Sequence, residues 1–106
     1  MSVAGQLLRI LAEEGDALGA RGDSGVDGAV WSAGVQPFVV LNGDTAEFHL
    51  DRTLASAARR TPDTTPSPRG EDWVAFRPSA IDRFAEDRLR AWFGAAYRRA
   101  TASDGI

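Results

Sequence analysis

The chain has 106 residues, 43% of them apolar and 25% charged, which are the proportions of an ordinary folded domain. Twelve arginines stand without any lysine against fifteen acids, for a net charge of -3. With no cysteine, disulfides, thiolate catalysis and thiolate-ligated metal centres are excluded, and the one histidine leaves a zinc site only carboxylates to draw on.

The length predicts a single domain over residues 1–106. Its start, MSVAGQLLRILAEEGD, lacks the basic lead and small-residue cleavage pattern of a secretion signal. No stretch approaches the roughly 18 uninterrupted apolar residues of a membrane span, so no membrane role is expected and the expected location is cytoplasmic. Residues 3–18 form the first predicted helix. Leu7, Leu8, Leu11 and Leu18, with Val3, recur near the 3.6 period, and Ser2 can cap it. Glu13, Glu14 and Asp16 oppose the helix dipole near its end, so fraying is expected there, helped by Gly15 and Gly19. The following run, GARGDSGVDG, holds four glycines and reads as a flexible connection.

Three strands follow at 29–33, 36–41 and 44–50, the last two flanking Asn42-Gly43, a strong hairpin signal. A loop of those two residues pairs Leu41 with Asp44, Val39 with Ala46 and Pro37 with Phe48. Val39, Leu41, Ala46, Phe48 and Leu50 then share the core face, and Phe38, Val40, Glu47 and His49 share the other. Asp51 can cap a short helix running to Arg60. The segment 61–72, TPDTTPSPRGED, reads as a constrained loop because of its prolines. A strand at 72–77 places Val74 and Phe76 on one face and Trp73 and Ala75 on the other. Ser79 and Asp82 resemble a capping pair for a final helix at 80–102. Its apolar stripe comprises Ile81, Phe84, Ala85, Leu89, Trp92, Phe93, Ala96 and Ala100. The fold class expected is α+β: a two-layer domain of order α-β-β-β-α-β-α. It has a largely antiparallel sheet of about four strands, with helices packed on one face.

The run HLDRTLASAARRTPDTTPSPRGEDWVAFRPSAIDRFAEDRLRAWFGAAYRRA resembles the small uncharacterised luciferase-like domain of bacteria. There too a strand bearing a polar or His residue precedes a short helix, a Pro/Gly loop, a Trp-Val strand and a final helix ending in A-Y-x-R. The matching positions are His49, Trp73, Val74 and residues 96–99. A looser likeness extends to the MmcQ/YjbR-like domains, an α+β group that also ends in a strand and a helix. The resemblance spans about residues 45–100 and implies a fold; it carries no catalytic set over to this chain.

Candidate sites are few. His49 titrates near neutrality and has Glu47 two residues away on its face, so the pair could serve as a general base or ligand. A cross-strand surface or interface histidine is the competing reading. Arg59, Arg60, Arg69 and Arg77 could converge to grip a carboxylate or phosphate, or could pair locally with Asp63, Glu71 and Asp72. The SPRG segment lacks the spacing and the lysine of a phosphate loop, and Asp23, Asp27 and Gly28 lack the twelve-residue spacing of a calcium loop. No cofactor or metal is therefore expected. Residues 1–50 carry seven acids and two arginines, and residues 51–106 carry eight acids and ten arginines. That asymmetry suits self-association or an acidic partner and is too slight for a nucleic-acid footprint. The aromatic residues Trp31, Trp73, Trp92 and Tyr97 serve either the core or an interface. The reading is a non-catalytic protein-interaction or accessory domain that self-associates as a homodimer. The alternative is a binder of, or simple enzyme acting on, a small acidic ligand through His49, Glu47 and the arginines.

Overall fold

A computed structural model describes residues 2–25 and 28–104 of the chain. Helix α1, Val3–Leu18, begins where the Ser2 hydroxyl accepts the Gly5 N–H. It ends at Gly19, whose left-handed backbone (φ 72°) returns its N–H to Asp16, while Ala20 bonds Gly15. The expected fraying is not seen. Glu13 and Glu14, misplaced for the dipole, are met instead by Arg90 from the last helix. Leu7, Ile10 and Leu11 are buried, whereas Leu8, one step of about 100° round the helix from Leu7, lies at the exposed margin.

Six antiparallel strands form one sheet in the order β1-β2-β3-β4-β6-β5. Strands β1 (Arg21–Ser24), β2 (Gly28–Ala33), β3 (Gln36–Asn42) and β4 (Thr45–His49) follow α1 in a meander. Helix α2 (Arg52–Ala58), capped by Asp51, leads to β5 (Thr64–Pro66), β6 (Trp73–Phe76) and α3 (Arg83–Asp104). The sheet thus has two strands more than expected, one at each edge. β1 emerges from the glycine-rich run and β5 from the proline-rich loop. Neither has apolar alternation; each becomes a strand by pairing along a neighbour that does.

The β3–β4 hairpin turns at Gly43-Asp44, not at Asn42-Gly43. Asn42 pairs with Thr45, Leu41 with Ala46 and Val39 with Phe48. Only the first of the two turn residues has positive φ (Gly43, 62°), as a type II′ turn requires, whereas an Asn-Gly type I′ turn needs both. The slip is two residues, an even number, so every side chain keeps its predicted face. Phe38 is the exception. Trp31 pairs with Val39 and Ser32 with Pro37, so Phe38 is a bulge residue without a partner on β2. The bulge turns it to the helix-covered face, where it meets Phe93 and Tyr97 edge-on or tilted.

Helices α1 and α3 lie together over this inner face, and α2 adds Ala55 and Ala58 to the same hydrophobic cluster. The stripe of α3 is seated as expected from Ala85 through Leu89, Trp92, Phe93 and Ala96. Trp92 packs its ring against Phe48 and Phe76, and Phe93 against Trp31 and Phe38. Both aromatic flanks of α3 therefore belong to the core. Phe84 does not: α3 starts at Arg83, with Asp82 rather than Ser79 accepting the Ala85 N–H, and Phe84 stays 70% exposed. Trp31 explains a glycine pair. A Cβ on Gly22 would lie 2.5 Å, and on Gly15 2.9 Å, from its indole nitrogen, so the ring fills a slot between β1 and α1 that only glycines leave open.

Candidate functional site

The sheet face away from the helices carries the polar residues singled out above. Glu47 and His49 project from β4 and, opposite them, Ala75 and Trp73 from β6. His49 and Trp73 face each other directly and stack, ring centroids 4.8 Å apart and 10° from parallel. The chain between β5 and β6 closes over this face. The Ser67 hydroxyl donates to one oxygen of Glu47 at 2.6 Å, and the Arg69 Nε–H donates to the other at 3.1 Å. Ser67 also accepts the Arg69 backbone N–H, and the Arg69 guanidinium lies over Trp73, 5.7 Å from the ring centre. The result is a continuous layer of Glu47, Arg69, Trp73 and His49, with Glu47 only 7% exposed. A buried carboxylate in a strand demands such donors, and the loop supplies both.

At the far end of the layer, Arg99 of α3 reaches His49 Nδ1 at 3.4 Å and the Asp72 carboxylate at 3.7 Å. Partial burial, and next the Arg99 charge, push the imidazole below its ordinary value of 6.5; Asp72 acts the other way. His49 is therefore a neutral, stacked ring at pH 7. The other Asp72 oxygen is buried without a hydrogen bond, with Arg52 3.8 Å away.

Of the six residues in the predicted set, the structure brings together Glu47, His49 and Arg69. Arg59 instead donates to the Glu71 carbonyl, Arg77 pairs with Asp44 just beyond the ends of β6 and β4, and Arg60 is exposed at the end of α2. The four arginines do not converge. Ser67, Asp72 and Arg99 complete the layer and were not among the predicted residues. One signal was legible: a glutamate between Ala46 and Phe48 in a hairpin strand needs a donor, and SPRG holds a hydroxyl beside a guanidinium. Asp27, considered above for calcium, lies outside the described residues.

Besides a hollow of about 400 Å³ that Arg69 lines with Asp23, Val30 and Val40, two more lie beside the layer. One, of about 540 Å³, opens between Thr45, Glu47, Thr65, Pro68 and Arg69. The other, of about 290 Å³, lies by Arg52, Arg59, Gly70 and Glu71. Among the described residues no group of three or more metal-ligating side chains forms, and no helix is long and apolar enough to cross a membrane.

No family model matches the chain, and neither does any curated protein. The crystal structure of a protein from Pseudomonas syringae is similar in fold, with a TM-score of 0.64 at 10% identity. The match covers 87% of this chain and 96% of that one. At that identity the likeness concerns the fold alone.

Proposed function

We propose that the protein is a small non-catalytic interaction domain that associates with itself. One observation carries this reading: the side chains able to do chemistry are spent within the fold. Glu47 has both oxygens occupied by Ser67 and Arg69, and His49 is stacked on Trp73 beside Arg99. A general base must reach a substrate proton, and the hollow that Glu47 lines does not include His49, so the two do not share a cleft. Phe84 is meanwhile left in water, and the sheet ends at an uncovered edge strand, β1, exposed along its whole length. Light scattering across a concentration series tests the reading. The weight-average mass should rise with concentration toward twice that of the 11.3 kDa chain. A mass fixed at the monomer value throughout would sink it.

The alternative, a small acidic ligand, finds support in the hollow beside Arg52 and Arg59, two guanidinium groups on one helix face. Glu71 already places a carboxylate in that hollow, 3.5 Å from Arg52. A ligand carboxylate would have to displace it. Citrate or phosphate raising the melting temperature, with the rise lost in Arg59→Ala, would favour this alternative.

A further inference from the structure

We infer that the second copy docks along β1, antiparallel and centred on Gly22, joining two six-stranded sheets into one. This deepens the self-association proposed above and rests on it.

The backbone of β1 sets which groups are free. The Gly25 N–H bonds the Gly28 carbonyl, which makes that pair a hydrogen-bonded one. In an antiparallel ladder such pairs alternate, so Asp23–Val30 and Arg21–Ser32 are also bonded, while Gly22–Trp31 and Ser24–Ala29 are not. The N–H and C=O of Gly22 and of Ser24 therefore point away from β2, off the sheet edge. At the other edge, β5 is three residues long and includes Pro66, which has no N–H to offer.

The side chains of β1 select both partner and register. Gly22 faces the helices, since its missing Cβ is where the Trp31 ring lies, so Arg21 and Asp23 share the opposite, open face. Both are exposed, and neither makes an ion pair or side-chain hydrogen bond among the described residues. The order Arg-Gly-Asp is self-complementary when two copies run antiparallel about Gly22. Arg21 then lies opposite Asp23 of the second copy, and Asp23 opposite its Arg21. The two Gly22 residues exchange N–H···O=C bonds, and the Ser24 N–H meets the Ala20 carbonyl of the second copy. The next register that keeps the outward groups facing each other sets Asp23 against Asp23, where like charges repel. Charge thus favours the two-fold arrangement centred on Gly22. Four residues a side bury less than the roughly 1,200 Å² of standard interfaces, so the dimer is weak and concentration-dependent.

Charge exchange on the full chain tests this by sedimentation equilibrium. Arg21→Asp and Asp23→Arg should each weaken self-association about tenfold or more, by placing like charges opposite one another. The double exchange should restore it. An equimolar mixture of the two single variants should associate as a heterodimer, because every opposed pair is then of opposite sign. Circular dichroism should be unchanged, as both side chains are exposed. A dimer indifferent to all these changes would overturn the β1 docking and leave self-association standing through another surface. A wild-type chain that stays monomeric throughout would overturn both.

Discussion

The two faces of the sheet are held by different physics. On the inner face, Trp31, Phe38, Phe48, Phe76, Trp92 and Phe93 interlock through edge-on ring contacts under α1 and α3. Its stabilisation follows apolar area and shape and depends on no ionised group. On the outer face a loop is tied down by directional bonds to a buried carboxylate and by the Arg69 guanidinium laid over Trp73, the ring on which His49 stacks. Burial of a polar group there is tolerated because each oxygen has a donor. The lesson is that a buried Glu, or a half-buried His, is as readily a fastening as a reactive group.

The largest effect should come from the inner face. Trp92→Ala removes a ring wedged between Phe48 and Phe76 and should cost about 3–5 kcal/mol by urea denaturation. A loss below 1 kcal/mol would mean α3 is not the roof of the core. On the outer face, Glu47→Ala leaves Ser67 and Arg69 without their acceptor and should cost about 1–3 kcal/mol. Its signature is local: proteolysis between β5 and β6 should accelerate, which Trp92→Ala would not produce selectively.

The same contrast explains what the sequence made legible. Alternation along β3, β4 and β6 and the period of α3 assign the inner face, because burial of one face leaves a direct trace in residue order. Glu47 and His49 were likewise placed together on the outer face by alternation. The partners of Glu47 lie 20 and 22 residues on, in a proline-rich segment with no periodicity, and Arg99 lies 50 residues from His49. Contacts of that kind come from tertiary closure. β1 and β5 leave no trace in the sequence for a related reason: RGDS and TTP have no pattern of their own and pair only because β2 and β6 present an edge. The Phe38 bulge and the two-residue slip of the hairpin depend on turn geometry that Asn42-Gly43 alone misstated.

Smaller effects separate charge from area. Arg90 joins α1 to α3 through Glu13, Glu14 and Glu86, and the hydrogen bond it gives Glu13 holds that carboxyl below its ordinary value. Arg90→Ala should lower the melting temperature modestly, and the difference from wild type should shrink in high salt. An unchanged difference at high salt would assign the loss to packing of the Arg90 stem instead. His49 gives the smallest effect. Its folded pKa lies below the unfolded value, so the unfolded chain takes up the proton first and stability is lost as pH falls below about 6.5. His49→Gln should flatten that slope; an unaltered slope would show that the imidazole is not held neutral.

The proposed self-association along β1 is most directly tested by amide hydrogen exchange at several protein concentrations. The N–H groups of Gly22 and Ser24 should gain protection as concentration rises, while those of Arg21 and Asp23, already bonded to β2, should not change. Rapid exchange at Gly22 and Ser24 across the whole range would contradict the account.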